Sequence, residues 1–508
     1  MLETAFANLR FGASMLFGVP FHLQSLDRIV KGMQATIEEL GALGDEANAL
    51  LGGPALDEET RYDIQGRRFR SQALRAARET AYYPEVLDKA GIDPAKLTYK
   101  DIARVPVTAK DTLRDNPEAF VRRAAKIATR VTTTGTTGWP TSVYFSEYEL
   151  HVIGAFAAFA FMTERTVDPD DIVQIAITTR ATLGMLTVTR GCTAAGAAVH
   201  PAGMLSPDHT LRLLTEKHHL PGKKPKVSAL ASYPTYFGQL VERGLELGYG
   251  PSDFGLEKVL TGGELLSDGV RHRSEQLFGQ LSFLQNYALT ELTPMTGNLC
   301  PDGHLHFEPS AGIAEVLDPE SHQPVAPGEP GVLVGTVLPP YRDTTILLRY
   351  NTEDMVRALS GPFTCNLRNL PATSHLLGKL RLSARHDHGW TFTRDVLEAL
   401  EAVQAVPLPA RYGFWAVPGG VAVEARVRSA TAQTRRALEA QLASRCVPLQ
   451  ELRLVEDPAE LHRPVPLRCD LQETASHRSV GHLPAAAPAP VGARTAEAGA
   501  GLEAARST

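Results

Sequence analysis

Apolar residues along this chain recur with two different spacings, and the change from one to the other predicts its secondary structure. Between about residues 60 and 265, short apolar runs alternate with stretches of helical spacing, which is typical of βαβ units around a largely parallel sheet. The predicted helices cover 59–80 and 147–162, and the predicted strands cover 172–177, 198–200, 227–230 and 258–264. Thr108, followed three residues later by Asp111, is expected to cap a short helical turn.

From about residue 305 the apolar runs become shorter and are separated by Pro and Gly. This change predicts a β subdomain with strands at 312–317, 331–337 and 345–350. A second change near Gly378 predicts a compact α+β region. Its expected helices cover 393–403 and 431–444, and its expected strands cover 420–427 and 451–455.

These patterns predict an α/β fold with a large domain of mainly parallel sheets, a β subdomain and a small α+β domain. The last part of the chain is rich in Ala, Pro and Gly with hardly any large apolar residue, so we expect it to be disordered. The predicted segments are a helical N-terminal extension at 1–60, the large domain at 61–377, the small domain at 378–471 and the tail at 472–508.

The composition is that of a soluble protein, and 508 residues are too many for one ordinary core. A formal charge of −6 gives no general attraction to nucleic acid or to an anionic membrane. Five widely spaced cysteines favour a reducing compartment over a disulfide framework. No apolar run reaches the ~20 residues of a membrane span, and the start of the chain lacks a signal-peptide pattern. We therefore expect a cytoplasmic protein without nucleic-acid or membrane partners, and leave a homodimer open.

Candidate chemistry is densest between Thr132 and Gly138, where five threonines and two glycines follow an apolar run. Hydroxyl groups need hydrogen-bond partners, and glycines let the backbone approach a ligand closely. A loop of this kind can surround a chain of phosphates with N–H and hydroxyl groups. The alternative is a hairpin turn that binds no phosphate. Neither a Gly-Lys-Ser/Thr ending nor a GxGxxG pattern is present.

Further short motifs follow in a definite order within residues 65–470. They are Val105-Pro-Val-Thr-Ala-Lys-Asp-Thr-Leu-Arg114, Thr133-Thr-Gly-Thr-Thr-Gly-Trp-Pro-Thr141, Tyr233-Pro-Thr-Tyr236, Thr261-Gly-Gly-Glu264, Tyr287-Ala-Leu-Thr-Glu291 and Leu348-Arg-Tyr-Asn-Thr-Glu-Asp354. In this order they resemble the adenylate-forming (ANL) ligases and, among them, the phenylacetate–CoA ligase-like branch. Single motifs of this kind are weak, but their order is fairly specific.

The resemblance implies an enzyme that uses ATP and Mg²⁺ to activate a carboxylate, with CoA as the usual acceptor. It implies that Glu291 holds Mg²⁺, that Asp354 accepts both ribose hydroxyls and that Tyr287 lies beside the adenine. The residues implied to bind the nucleotide are Thr133, Thr134, Gly135, Thr136, Thr137, Gly138, Gly262, Gly263, Glu264, Tyr287, Thr290, Asp354 and Lys379, with Thr137 and Glu291 also catalytic. Taken alone, each acid has an ordinary alternative as a surface cap or a turn residue.

Three positions depart from the family pattern. Trp139 stands where the phosphate loop usually carries a lysine, and Lys379 stands where an arginine is usual. The chain has no lysine after Lys379, although the family's adenylation step usually relies on one near the C-terminus. Arg463 and Arg468 are the nearest candidates to replace it. These departures put CoA-thioester formation in more doubt than nucleotide binding.

A zinc site is a further expectation from the resemblance, because some members of the branch bind zinc through a Cys-x₅-His pair and later cysteines. Here Cys300 and His306 supply the pair and Cys365 supplies one later thiol, with His304 or a water as a fourth ligand. The alternative is a vestigial site of reduced thiols and imidazoles.

By resemblance, we expect the activated acid to be aromatic. Its pocket would be lined by Phe156, Tyr233, Tyr236 and Ala288, although these side chains would serve equally well in an ordinary core. Two alternatives stay open. One is an adenylate-forming enzyme with another substrate or acceptor, such as an amide ligase or a nitrite-activating diazotase of secondary metabolism, and the other is a degenerate nucleotide-binding protein. The family also implies a mobile C-terminal domain that rotates about a hinge near Gly378–Arg381.

Overall fold

The computed structural model of the chain describes residues 2–41, 43, 57–133, 140–365 and 367–471. All of these residues belong to one compact unit. The turn of the threonine-rich loop, residues 134–139, and the predicted tail lie outside the described residues. Among the helices of the described ranges, none is long and apolar enough to cross a membrane.

The described part of the N-terminal extension is largely helical. It forms two helices that pack on each other, α1 (Leu2–Phe17) and α2 (Leu23–Leu40). The next helix, α3 (Glu58–Glu79), begins at Asp57, whose carboxylate accepts a hydrogen bond from the Thr60 N–H. Two short helices follow, α4 (Tyr83–Lys89) and α5 (Lys110–Asp115).

A mixed sheet of eight strands forms the centre of the large region. Its strands are β3 (Ile172–Ala176), β4 (Ala198–His200), β5 (Ala229–Ser232), β6 (Lys258–Gly262), β7 (Ser282–Ala288), β8 (Thr296–Leu299), β9 (His304–Phe307) and β13 (Ala372–Ser374). Their order in the sheet is β13-β9-β8-β7-β6-β5-β3-β4, in which β4, β3, β5, β6 and β7 are parallel and the other neighbours are antiparallel. Helix α6 (Glu147–Thr163) precedes β3, and the helices between the strands are α7 (Thr182–Ala194), α8 (Pro207–Thr215), α9 (Pro234–Glu246) and α10 (Asp268–Phe278). This arrangement confirms the predicted α/β class.

Two smaller antiparallel sheets complete this region. A hairpin of β1 (Ile127–Thr132) and β2 (Ser142–Ser146) leads into α6, where Ser146 and Glu149 form a capping box. The β subdomain is a four-stranded sheet in the order β10 (Gly312–Leu317), β11 (Pro330–Val337), β12 (Tyr350–Arg357) and β14 (Gly378–Lys379). It carries one acid and one lysine of the candidate site, Asp354 in β12 and Lys379 in β14.

The C-terminal region has an apolar core of its own, built from residues such as Val396, Val421 and Leu438. Its elements are β15 (Ala384–His386), β16 (Gly389–Thr391), α11 (Thr393–Glu401), β17 (Tyr412–Val417), β18 (Gly420–Arg426), α12 (Ala432–Ser444) and β19 (Leu449–Val455). Strands β15, β16 and β17 were not predicted. The domain boundary at residue 378 and the hinge beside it stay predictions.

Two local predictions are wrong. Residues 345–349 do not form a strand, because they cross the core as an irregular segment and Arg349 has a left-handed φ of 46°. The strand starts instead at Tyr350. Thr108 does not cap α5, since its hydroxyl donates to the Leu348 carbonyl at 2.7 Å and Ala109 occupies the cap position.

Candidate functional site

Asp354 lies at the centre of a buried hydrogen-bonded cluster. Its Oδ2 accepts a hydrogen bond of 2.8 Å from the Tyr287 hydroxyl, and its Oδ1 lies 2.7 Å from the Lys379 ammonium. Lys379 also donates to the carbonyl of Thr352 at 3.3 Å. Desolvation lowers the pKa of Lys379, and the Asp354 carboxylate opposes that shift. Burial raises the pKa of Tyr287 well above its usual value, so its hydroxyl stays a donor.

Glu291 joins the same cluster. Its Oε1 accepts a hydrogen bond of 2.9 Å from the buried Tyr350 hydroxyl, and the Lys110 ammonium lies 3.6 Å from that oxygen. Its Oε2 is buried and has no hydrogen-bond partner among the described residues. The negative charge of Glu291 also acts on Tyr287 and Lys379, so the two acids share one electrostatic environment.

Strand β12 positions both acids. Asp354 lies within the strand, and Tyr350 at its start donates the hydrogen bond that holds Glu291. Its pairing with β11 shifts register, and Glu353 adopts a left-handed φ of 60°. An irregularity of this kind changes the direction of the following side chain. The two-residue strand β14 then pairs Lys379 with Asp354.

Lys110 is positioned by contacts between two distant segments. The Arg349 guanidinium donates to the carbonyls of Ala103 and Val105 at 2.8 and 2.6 Å, and it pairs with Glu315 at 2.8 Å. The backbone of Thr108 bonds to Arg349 as well, at 2.9 Å. These buried bonds fix the segment that ends at Lys110.

A cleft opens beside the Asp354 cluster. One wall contains Tyr287, Ala288 and Asp354, and the other contains Lys379 of β14 together with residues of the C-terminal region such as Leu397. Much of the lining is apolar, with Leu265, Leu289, Leu299, Leu305, Leu376 and Leu397. His375 also lines the cleft, and burial lowers its pKa to about 4, so that it is neutral at pH 7.

The Gly-Gly-Glu motif contacts the last described segment of the chain. The Glu264 carboxylate accepts hydrogen bonds from the Arg468 N–H at 2.7 Å and from the Thr235 hydroxyl at 2.6 Å. Gly263 has a φ of 78°, and a Cβ atom there would lie 3.2 Å from the Arg468 guanidinium carbon. That guanidinium stacks on the Tyr233 ring, 5.0 Å from its centroid. Arg468 therefore lies in the cleft wall.

Thr133 lies at the base of the threonine-rich turn. Its N–H donates to the Thr141 carbonyl and its hydroxyl accepts from the Thr141 N–H, both at 2.9 Å. The other predicted phosphate-binding residues, Thr134, Gly135, Thr136, Thr137 and Gly138, lie outside the described residues, as does Trp139.

Several predicted site residues are not in the cleft wall. Phe156 packs instead against Phe11 and Phe21 of the N-terminal helices and their connection, at centroid distances of 6.1 and 5.4 Å. Tyr236 is fully buried, and its hydroxyl donates to the Leu205 carbonyl at 2.7 Å. Neither side chain lines the cleft beside Asp354, and both pack against residues of the core.

Three other predicted residues are near the site without lining the cleft. Tyr233 is buried below Arg468. Gly262 ends β6, and Thr290 is half-buried in the turn before Glu291. Arg463 lies elsewhere, with its guanidinium carbon 5.5 Å from the centroid of the Trp415 ring, and it is not among the cleft-lining residues. The structure thus distinguishes the two candidate arginines in favour of Arg468.

A second cluster contains the predicted zinc ligands. One donor atom from each of Cys300, His304, His306 and Cys365 lies within 4.8 Å of the other three. The Cys365 sulfur is 3.2 Å from His306 Nε2, while His306 Nδ1 is 3.2 Å from the Leu370 carbonyl. His304 Nδ1 is buried without a hydrogen-bond partner among the described residues. Two thiols and two imidazoles at these distances match the donor set of a tetrahedral zinc site.

The sequence interpretation assigned no role to Lys110 or Tyr350. Both lie inside the motifs that carry the family resemblance, and Lys110 is the one lysine of its motif. That single lysine, among residues that otherwise cap or pack, was the sequence feature that could have indicated a charged group in the site. Its pairing with Glu291 could not be deduced, because it depends on contacts between residues more than 180 positions apart.

The chain resembles known acyl-CoA ligases in both fold and sequence. A crystal structure of 2-hydroxyisobutyryl-CoA ligase in the postadenylation state superposes with a TM-score of 0.65 and 18% identity, covering 80% of this chain and 88% of that one. That likeness defines the fold class. A family model described as AMP-binding enzyme matches residues 57–335, which is more than half of the chain, and the chain belongs to this family.

The curated relatives are more similar in sequence but match over a shorter span. A phenylacetate–coenzyme A ligase of Thermus thermophilus is 27% identical over 308 residues, covering 59% of this chain and 66% of that protein. One of Aromatoleum evansii is 26% identical over 309 residues, covering 58% of this chain and 66% of that protein. The chain thus spans slightly less than two thirds of the length of these relatives.

Proposed function

We propose that this protein is an adenylate-forming ligase that activates an aromatic carboxylate with ATP and transfers the acyl group to CoA. The observation that carries the proposal is the convergence of Glu291, Asp354 and two lysines in one electrostatic cluster, of which Asp354 and Lys379 line the cleft. Family membership and the relatives named phenylacetate–coenzyme A ligase support it.

In the first half-reaction, a carboxylate oxygen bonds to the α-phosphorus of ATP while the bond from that phosphorus to pyrophosphate breaks. Negative charge gathers on phosphate oxygens, so positioning and electrostatic stabilisation carry the catalysis. We assign the stabilisation of this negative charge to three cations, Lys110, Lys379 and Arg468. The buried and unpaired Oε2 of Glu291 fits a Mg²⁺ ligand, since Mg²⁺ prefers a carboxylate together with phosphate oxygens.

Asp354 is assigned to the ribose hydroxyls. In the described conformation Tyr287 and Lys379 occupy its oxygens, so the nucleotide would replace or share these bonds. The threonines from Thr133 onward are assigned to the β,γ-phosphates on the strength of their sequence motif. The leucines of the cleft suit an aromatic ring, because apolar walls with a few polar groups are typical of small-molecule sites.

The second half-reaction would join the CoA sulfur to the acyl carbon and release AMP with its phosphate oxygen. Arg468 lies at the cleft, and its fixed charge would suit a role that the family gives to lysine, although its planar guanidinium binds differently from an ammonium. Cys300, His304, His306 and Cys365 would hold a structural Zn²⁺, which would join the end of β8 to the segment before β13.

The experiment is a pyrophosphate-release assay with a panel of acids, followed by mass spectrometry of the CoA products. We expect release with phenylacetate or a related aryl acid and a CoA thioester in the second stage. Pyrophosphate release that requires nitrite and an aryl amine would show that the activated substrate is nitrite rather than a carboxylate. Nucleotide binding without release for any acid would contradict an enzymatic role.

A further inference from the structure

Helix α1 has two apolar faces, and only one of them is buried. The buried face contains Ala7, Phe11 and Ser14. Phe11 stacks on Phe21 with centroids 5.8 Å apart and meets the Phe159 ring edge-on at 5.9 Å. These contacts fix the orientation of α1 on the large region.

The opposite face of α1 is exposed and equally apolar. At about 100° per residue, Phe6, Leu9, Leu16 and Phe17 fall within an arc of about 100°, opposite the buried face. Their exposed fractions are 55%, 68%, 45% and 65%, and Val19 just beyond the helix is 48% exposed. Of the nine large apolar residues exposed in the described parts of the chain, these five lie within fourteen consecutive positions.

This concentration has no explanation in the proposed enzyme. The helix precedes residues 57–335, the part that the family model matches. Its sequence contains a single acid, Glu3, which pairs with Arg28, and a single base, Arg10, which stacks on Phe6. A cluster of several exposed apolar side chains normally marks a contact surface. No residue of the described ranges covers this face of α1.

We propose that this face of α1 binds the same face of α1 in a second copy of the chain, forming a two-fold symmetric dimer. In an antiparallel pair centred near residue 11, Phe6 of one copy meets Leu16 and Phe17 of the other. Leu9 then meets the small Ala13, which lets the helices approach closely at the centre. The face is thus complementary to itself, as an isologous interface requires.

The exposed area agrees with a reversible dimer. At ~150–250 Å² for a whole aromatic side chain, the exposed parts of these five residues amount to roughly 500 Å² per copy. Two copies would bury about 1,000 Å², which is near the lower limit for a specific interface. We therefore expect an equilibrium between monomer and dimer in the micromolar range rather than a permanent complex.

Two other occupants fit the face less well. A membrane-surface helix carries Lys and Arg beside its apolar face, whereas Arg10 is the one basic residue of α1. Residues 472–508 of the chain contain only Val480, Leu483, Val491 and Leu502 as large apolar residues, so their sequence offers little to cover a surface of this size. A second copy supplies a matching apolar face with no net charge.

The test is sedimentation equilibrium of the full chain over a wide concentration range. The wild type is expected to dimerise, and Leu9→Gln/Phe17→Gln is expected to weaken the dimer by about tenfold or more. The matched control, Leu220→Gln/Leu247→Gln, removes two similarly exposed leucines elsewhere and should leave the association unchanged. Thermal unfolding of both variants checks that the fold is intact.

A cross-linking experiment tests the orientation. In a Cys446→Ser background, which removes the exposed native thiol, Leu9→Cys/Ala13→Cys should form a covalent dimer under mild oxidation, and Leu220→Cys should not. A wild type that is monomeric at all concentrations would overturn the proposal. So would binding of the monomer to phosphatidylcholine vesicles that Leu9→Gln/Phe17→Gln abolishes, since this result would assign the face to lipid.

Discussion

Two buried polar clusters of this protein are held together in different ways. The Asp354 cluster combines two carboxylates with two lysines, so most of its charges have a partner within the protein. The cluster of Cys300, His304, His306 and Cys365 contains no lysine, arginine or carboxylate, and its donors face one another. Opposite charges can satisfy each other without a ligand, whereas the second cluster leaves the buried His304 Nδ1 without a hydrogen-bond partner among the described residues. The first cluster is therefore expected to persist without nucleotide, and the zinc proposed for the second is expected to stabilise it.

The largest expected effect is on activity, from Glu291→Gln. The variant keeps an oxygen for the Tyr350 hydroxyl but loses the negative charge beside Lys110. Charge stabilisation at such a site contributes about 10²–10³ in rate, so pyrophosphate release should fall by about that factor. Circular dichroism should show an unchanged fold. Tyr350→Phe, which removes only the hydrogen bond, is the control and should cost much less; a fully active Glu291→Gln would remove the Mg²⁺ assignment.

The next largest effect is expected from Asp354, and it distinguishes the salt bridge with Lys379 from the proposed binding of the nucleotide. Asp354→Asn leaves the Lys379 ammonium without its partner, which should lower the melting temperature and weaken ATP binding by about tenfold or more. Adding Lys379→Met removes the unpaired charge, so the double variant should recover stability but not ATP affinity. Titration with ATP and thermal unfolding measure the two effects. Recovery of both would mean that Asp354 serves only the salt bridge.

Metal removal should act mainly on stability. Cys300→Ser or Cys365→Ser should abolish stoichiometric zinc, measured by elemental analysis, and lower the melting temperature by several degrees, since metal binding contributes directly to folding. Cys192→Ser, which changes a buried cysteine outside the cluster, is the matched control for metal content. Wild-type protein that binds no zinc after reconstitution would contradict the assignment.

The smallest effect concerns Glu401, a buried carboxyl that forms no salt bridge with a lysine or arginine of the described ranges. It accepts hydrogen bonds from the Ser267 hydroxyl and the Ala410 N–H, and burial raises its pKa to about 7. The folded state therefore binds a proton that the unfolded state releases above its ordinary pKa of ~4.5. The resulting stabilisation is complete below that value and is lost as the pH rises through 7.

Glu401→Gln should remove this dependence. Between pH 5 and pH 8, the wild type should lose about 2–3 kcal/mol more unfolding free energy than the variant. Denaturant unfolding at both pH values measures the difference. Equal losses would show that Glu401 ionises in the folded protein as it does in water, like a carboxylate with a cationic partner.

The sequence identified both acids of the proposed site together with Lys379 and Arg468, but it missed Lys110. Motif order brought Glu291 and Asp354 together by resemblance, and the Cys-x₅-His spacing identified the second cluster. Lys110 was missed because its position depends on Arg349, which bonds to backbone carbonyls of a segment about 245 residues earlier. No local pattern carries that information.

The same limit applies to apolar residues. The sequence does not show that Phe156 packs against Phe11 of α1, and it does not show the left-handed φ of Arg349, which ends the predicted strand at 345–349. Apolar patterns report burial, but they do not report which neighbour buries a residue. Strands and helices of the parallel sheet were predictable because each is defined by its own spacing, as in α6 and β3.

Strand β14 has a consequence for how the protein responds to its substrate. It is only two residues long, yet its Lys379 reaches the carboxylate assigned to ribose and its Gly378 begins the path to the C-terminal region. A nucleoside that takes Asp354 away from Lys379 loosens this tie, and a displacement of the C-terminal region that withdraws Lys379 frees Asp354. Thermodynamic reciprocity makes the two events favour each other to the same degree. The Lys379 ammonium group would thus couple nucleoside binding at Asp354 to the position of the C-terminal region.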